Sequence, residues 1–453
     1  MLQVIQSNLH RFFTKGHERS LKTKKNIVKS VLLKGGSVVI SLMLIPLTIR
    51  YVNPTQYGIW LTLSSIITWA GLFDMGLGNG LRNKLATMIS LGDVSAAKSY
   101  VSSTYALLFI ISTVMFALFY FINPYIKWQQ ILNAPGTEGN YLSMVVLVVF
   151  AFFCFQFVIQ LINNVLTANQ APANVAFLNL IGQVLSLIAV LFLIRYKQGA
   201  LMDVVLIIAG LPLLVLLAGS VWYYSGSYKS LAPSFNYINW GCAKELLGVG
   251  GGFFIIQINA LVLYETDNIV ITQLFGPSEV TTFNVAYKLF SIVLMFFVIV
   301  INPFWSAFTE AYTKNDLEWI KNAVIKINKL WMVLSFCSVC LLVLSPWLYN
   351  LWLGKSITVP ISLSIAMCLY TITIIWQAIH VQLLNGIGKI KLQLYLGIIG
   401  SIVNIPMSVF LGKWIGVAGV TLSNVILFIV MGVVFSIQTK KIINKTATGI
   451  FNA

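Results

Sequence analysis

Twelve apolar stretches, each about 20 residues or longer, follow one another along the chain with few charges to interrupt them. A hydrocarbon core about 30 Å thick takes roughly 20 helical residues to cross, and backbone polar groups cannot be left unpaired in lipid. The chain therefore reads as an all-α polytopic membrane protein. The spans fall at residues 30–52, 57–80, 100–122, 141–168, 174–194, 201–224, 246–274, 281–308, 327–350, 359–385, 391–411 and 414–437. Composition agrees, with 58% hydrophobic and 9% charged residues, far from the balance of a water-soluble domain. The joining segments are too short to fold alone. This divides the chain into a basic N-terminal segment 1–29, a first six-helix lobe 30–224, a linker 225–245, a second lobe 246–437 and a tail 438–453.

The net charge of +17 would suit a nucleic-acid binder, but its placement argues against one. With the N-terminus inside, 21 basic residues fall on cytoplasmic segments and six on the outer ends, while Lys34 and Lys288 lie within spans. That is the positive-inside pattern. It puts both termini in the cytoplasm, as an even span count requires, and makes anionic lipid headgroups the partner of the basic charge. Residues 1–29 lack a cleavage site. Leu9, Phe12 and Phe13 beside Arg11, Lys15 and Arg19 give either a helix lying on the inner leaflet or a disordered basic tail. Cys337 and Cys340 form a CxxC inside an apolar stretch. Ordinary packing is expected there, with no metal, because a redox or zinc site needs thiolates and partners.

The chain also repeats itself. Asn53-Pro54-Thr55-Gln56 matches Gly276-Pro277-Ser278-Glu279 at an offset of 223, and the same offset carries Gly92-Asp93-Val94 onto Asn315-Asp316-Leu317. Gly182 falls on Gly400 and Arg195 on Lys413 at an offset of 218. Six spans thus match six spans in the same orientation. Two such pseudo-symmetric six-helix lobes around a central cavity suit alternating access.

Span 2 ends Leu72-Phe73-Asp74-Met75-Gly76-Leu77-Gly78-Asn79-Gly80-Leu81-Arg82. This resembles the "D-x-G-x-x…R" ending of the second span in Wzx-type polysaccharide flippases. Tyr51-Val52-Asn53-Pro54-Thr55-Gln56-Tyr57-Gly58 is similar to that family's first turn, and Thr266-Asp267-Asn268-Ile269-Val270-Ile271 to its span 7. The resemblance runs from about residue 26 to 440 and implies the multidrug/oligosaccharidyl-lipid/polysaccharide (MOP) superfamily with its MATE-like fold. It further implies movement of undecaprenyl-pyrophosphate-linked oligosaccharide to the outer leaflet for O-antigen or capsule assembly.

An ionisable group inside a span costs about 2.5–3.5 kcal/mol at the centre on insertion scales, so each needs a reason. Lys34 either snorkels to the inner interface or attracts a pyrophosphate at the cavity mouth. Arg50 could make bidentate phosphate contacts or rest among outer headgroups. Asp74, which lies deeper, and Arg82 are candidates to line the cavity; alternatively Asp74 pairs with Arg82 or caps a helix. Glu265 and Asp267, two residues apart, leave a helix about 200° apart, so one is expected to face the cavity and the other the interface. Buried carboxylates there suit proton or sodium coupling, and Lys288 offers either a cavity charge or a static bridge to Asp267. Glu310 is a further coupling candidate or a solvated helix end. His380 is a titrating group or a neutral histidine bonded to a neighbouring helix. Gln156, Gln160, Asn163 and Asn164 share a helix face, where amides suit sugar hydroxyls or hold helices together.

The resemblance thus implies an inner-membrane flippase, expected to act as a monomer, for a polyprenyl-linked oligosaccharide. No cofactor is expected; a proton or sodium gradient or the membrane potential would drive it. A polysaccharide polymerase or glycosyltransferase complex is the expected neighbour, and nucleic acid is excluded. The rival readings are an organic-cation or multidrug exporter of the same superfamily, which would want an acidic cavity, and a membrane enzyme, for which the short loops offer no reactive cluster.

Overall fold

Lipid-spanning length dictates the architecture, and the computed structural model describes residues 18–70, 77–169, 171–302, 304–354 and 356–452. All regular structure among them is helical. The first half contains α1 (Glu18–Val52), α2 (Pro54–Ala70), α3 (Leu77–Leu91), α4 (Val94–Ile122), α5 (Trp128–Ile131), α6 (Gly139–Ile159), α7 (Leu161–Ala168), α8 (Pro172–Tyr196), α9 (Leu201–Val205) and α10 (Leu211–Ser225). The second contains α11 (Trp240–Phe275), α12 (Pro277–Ile301), α13 (Phe304–Thr313), α14 (Leu317–Leu353), α15 (Ile361–Ile387), α16 (Lys391–Ile415) and α17 (Val417–Ile443). Ten helical stretches among the described residues are long and apolar enough to cross a membrane. Of the other two expected spans, 246–274 lies within α11, and 57–80 covers most of α2 and the start of α3, with 71–76 between them outside the described residues. Exposed side chains such as Phe121, Phe192, Val343 and Ile402 are apolar, the arrangement a lipid-facing surface requires.

The internal repeat is written into the turns. Asn53 and Gly276 have φ of 91° and 93°, and each is followed by a proline opening a helix. Proline suits that first position, where its missing N–H would be unpaired anyway. Gly92 and Asn315 have φ of 75° and 60°. Beyond each, an aspartate caps the next helix: Asp93 Oδ1 accepts from Ala96 N at 2.9 Å and Asp316 Oδ1 from Trp319 N at 3.0 Å. The closing bonds match too, Asp93 N to Met88 O at 3.0 Å and Asp316 N to Ala311 O at 2.9 Å. All these pairs stand 223 residues apart.

The described chain groups into two compact units. The first takes the described residues of 1–52, 70–127 and 139–254. Its core buries Leu81, Leu85, Leu108, Ile162 and Leu166 completely. The end of α1 is locked there: Tyr51 Oη donates to Asp203 Oδ2 at 2.7 Å, and Lys197 Nζ donates to Asp203 Oδ1 at 2.7 Å. Between α9 and α10 the helix widens into a π segment, Leu206–Gly210. Pro212 explains it, because a proline cannot supply the next N–H of an α-helix. The Ile207 carbonyl there also accepts the Ser186 hydroxyl at 3.1 Å.

The second unit takes the described residues of 53–69, 128–138 and 255–453. Helix α2 therefore packs with the helices of the second half, through a reciprocal contact. A Cβ added at Gly58 would stand 1.6 Å from the Pro277 carbonyl oxygen. At the position equivalent to Gly58, Thr281 Oγ1 donates to the Pro54 carbonyl at 2.7 Å. Further along α2, the Thr62 hydroxyl meets that of Thr272 on α11 at 2.5 Å. Segment 128–138 joins this unit because Asn133 Nδ2 reaches the Thr272 carbonyl at 3.1 Å and Trp128 and Leu132 are buried.

Candidate functional site

The densest buried polar chemistry lies in the second unit, where α11, α16 and α17 meet. Helices α16 and α17 fold back on each other at Gly416, whose φ of 79° permits the turn. That fold sets Asn404 opposite Asn424, and Asn404 Nδ2 donates to Asn424 Oδ1 at 2.7 Å. Asn424 Nδ2 in turn donates to Asp267 Oδ2 at 2.7 Å. Asn404 and Asn424 are completely buried and Asp267 is 5% exposed. Towards the turn, Ser408 and Ser423 hydroxyls meet at 2.5 Å. The chain is left incomplete, because Asp267 Oδ1, Asn404 Oδ1 and Thr421 Oγ1 find no hydrogen-bond partner among the described residues. A buried acceptor without a partner costs about 1–3 kcal/mol, more if charged.

Beside Asp267 opens a cavity of about 160 Å³, bordered by Glu265, Asp267, Asn268, Asn284, Tyr370 and Thr421 among others. A second amide ladder runs along it. Asn284 Nδ2 donates to Asn268 Oδ1 at 2.8 Å, and Asn268 Nδ2 donates to Ser65 Oγ at 2.8 Å. Both Glu265 and Asp267 line this one space, whereas the 200° separation was expected to part them. The angle fixes where each Cβ leaves the helix; a cavity that wraps part of the helix borders both. The arrangement can hold a proton or a small cation: two carboxylates, amide and hydroxyl oxygens, and unpaired acceptors among them.

The other expected site residues lie as follows. Lys288 is half-buried, and among the described residues no ion pair joins it to Asp267; the carboxylate is held by Asn424 instead. Depth along a helix placed the two together, but rotation about the helix decides the partner. His380 is 5% exposed, with Nδ1 3.2 Å from Thr439 Oγ1 on α17 and its ring edge-on to Trp376. Glu310 is exposed and pairs with Lys314 at 2.5 Å, one turn on. That lysine holds the Glu310 carboxyl below its usual range. Lys34, Arg50, Arg82 and Gln156 are exposed; Gln160 and Asn163 are half-buried. The amide stripe is interrupted because the helix breaks at Gln160, between α6 and α7. Asp74, Leu9, Phe12 and Phe13 lie outside the described residues. Cys337 and Cys340 are exposed rather than packed inside, since the apolar stretch around them faces outward.

Sequence reasoning missed Asn404 and Asn424. Their signal was present: a lone asparagine inside each of two neighbouring spans, at Ile402-Val403-Asn404-Ile405 and Leu422-Ser423-Asn424-Val425. It also missed an ion pair where the linker ends. Glu245 accepts from Lys84 Nζ through one oxygen and from Tyr100 Oη through the other. The lysine first, and then the tyrosine, hold the Glu245 carboxyl below its usual range.

These features define a multi-span helical membrane protein, and its fold is that of MATE transporters. It is similar to an inward-facing multidrug resistance MATE family transporter, with a TM-score of 0.69 and 15% identity over 92% of this chain and 95% of that one. An outward-facing structure of such a transporter aligns with a TM-score of 0.63 and 17% identity over 96% and 98%. The chain belongs to the polysaccharide biosynthesis protein family, whose pattern matches residues 23–309. It is 21% identical to the "Putative O-antigen transporter" of Salmonella typhimurium over 84% of this chain and 87% of that protein. To the "Putative O-antigen export protein" of Yersinia pseudotuberculosis it is 22% identical, over 78% and 81%.

Proposed function

We propose that this protein carries a lipid-linked oligosaccharide from the inner to the outer leaflet of the bacterial cytoplasmic membrane, supplying O-antigen or capsule assembly. The observation that carries this reading is the family match, extended over most of the chain by relatives named for O-antigen transport or export. Both termini face the cytoplasm in this reading, as the basic residues predict. The cargo is a polyprenyl pyrophosphate bearing a short glycan, whose tail stays in the bilayer. Lys34 and Arg50 attract its phosphates. The two repeats alternate between inward and outward access, as parallel-repeat transporters do.

Asp267, with Glu265 beside it, is the coupling site for a proton or sodium ion, and Asn424 and Asn404 orient it. The membrane potential assists: moving two negative charges outward is favoured by about 2.3 kcal/mol per charge per 100 mV. The protein works as a monomer beside the polymerases and glycosyltransferases that make and consume its cargo. Deleting the gene tests this. Surface polysaccharide should fall and the lipid-linked precursor should accumulate, with both restored by the wild-type chain and neither by Asp267→Leu. Normal surface polysaccharide after deletion would end the reading.

One observation favours a second reading, export of organic cations. The cavity beside Asp267 combines two carboxylates with the rings of Phe283, Tyr287 and Tyr370, a lining that suits a cation. A deletion strain hypersensitive to cationic drugs, with unchanged polysaccharide, would select it.

A further inference from the structure

A larger cavity, about 470 Å³, lies within the second unit among α11, α12, α15, α16 and α17. Its walls are apolar, with Phe297 and Phe435 among them, yet four amides also border it: Asn302, Gln377, Gln382 and Gln393. Among the described residues that line it, none is charged.

Amides inside a membrane protein commonly hold helices together, and elsewhere in this unit they do. Asn404 and Asn424 pair at 2.7 Å, Asn284 and Asn268 at 2.8 Å. Those around the larger cavity do so only weakly. Gln393 Oε1 is buried without a partner among the described residues. Gln377 Nε2 has the Met431 sulfur at 4.0 Å, a weak acceptor. Gln382 Nε2 reaches the Ile301 carbonyl only at 3.5 Å, the outer limit of a hydrogen bond. Contacts this long and weak hold the helices little, so these amides can exchange them for bonds to something in the cavity.

The chemistry of that occupant follows. A phosphate, a carboxylate or an ammonium would be buried here without a counter-charge, at a cost a neutral ligand avoids. Hydroxyl and acetamido groups match amides, which both donate and accept. The C–H faces of a sugar ring suit Phe297 and Phe435. The volume falls in the usual range for small-ligand sites, about 300–1,000 Å³. We propose that this cavity binds an uncharged sugar residue through Gln377, Gln382 and Gln393, and that the cargo's pyrophosphate is held elsewhere. The assignment rests on the glycan-transport reading and adds which part of the cargo sits where.

The test uses the full chain in lipid nanodiscs, free of sugar detergents. Two probes are titrated below their micellar concentrations, octyl N-acetyl-β-glucosaminide and octyl β-glucuronide, which share a tail and differ in charge. The readout is the rise in thermal midpoint. The neutral probe should act at concentrations at least tenfold lower than the glucuronide. Gln377→Leu with Gln393→Leu should raise its half-saturating concentration tenfold or more, and Cys340→Ser should leave it within twofold. If the double leucine variant does not fold, Gln393→Asn, which keeps the amide but withdraws it by one methylene, should weaken binding several-fold. Equal action of both probes, or wild-type binding by the glutamine variants, overturns the assignment. Failure of the transport reading looks different: the deletion strain keeps its surface polysaccharide, whatever the binding curves show.

Discussion

Replacing Asn424 by leucine removes the middle of the buried chain while nearly keeping its shape. The wild-type side chain donates to Asp267 and accepts from Asn404, both at 2.7 Å. Hydrogen bonds between membrane helices average about 0.6 kcal/mol and reach about 1.7, which sets a floor near 1 kcal/mol for two. Two buried groups left unpaired cost about 1–3 kcal/mol each, and Asp267 already has one oxygen without a partner. The expected loss is about 2–4 kcal/mol, in the middle of what these two scales allow. Unfolding in mixed micelles, followed by tryptophan fluorescence, measures it. The decisive step is the cycle with Asp267→Leu. Once Asp267 is gone, Asn424→Leu strands only Asn404, so the double variant should be at least about 1 kcal/mol more stable than the summed losses predict. Additivity within about 0.5 kcal/mol would refute the claim that these groups act together.

Other outcomes follow from the packing and charges. Gly58→Ala should destabilise by about 1–3 kcal/mol or more, because the new methyl meets a backbone carbonyl. Gly400→Ala should be tolerated, since its methyl meets only the flexible end of Met431; equal thermal midpoints for the two variants would contradict this. The Glu245 carboxyl is held low by Lys84 and Tyr100, so its contribution to stability is present above the ordinary carboxylate pKa and fades as pH falls through the lower, folded-state value. The difference in thermal midpoint between wild type and Glu245→Gln should therefore shrink with acidification, and a constant difference would argue against the pair. Cys337→Ser with Cys340→Ser should leave surface polysaccharide unchanged, as both thiols are exposed; a loss would assign them a role.

Much of the fold was legible because membrane crossing imposes a length. Span ends near Val52 and Tyr196 follow from where apolar runs stop, whereas the span expected to reach 308 ends at Ile301 and a separate short helix begins at Phe304. The repeat was legible because its turns need special residues: Asn53 and Gly276 for positive φ, Pro54 and Pro277 to open helices, Asp93 and Asp316 to cap them. The site was legible only in part. Asp267 stood out as a carboxylate in an apolar run, but a bridge to Lys288 was one of the two roles expected for that lysine, because sequence gives depth along a helix and not the angle around it. Asn404 and Asn424, 20 residues apart, meet because a tight turn at Gly416 folds two spans together. The lone asparagine in each span marks a buried polar group, but not that the two meet. The grouping of α2 with the second unit was equally hidden, since it depends on Gly58 lying against the Pro277 carbonyl.

Reconstitution measures the transport step itself. Proteoliposomes would carry a polyprenyl-pyrophosphate oligosaccharide with a fluorescent sugar in one leaflet, and its arrival in the other would be read by a membrane-impermeant quencher. Wild-type protein should speed the exchange well above protein-free vesicles, and Asp267→Leu should return it to that background. Exchange no faster with the wild-type protein than without it would contradict the account.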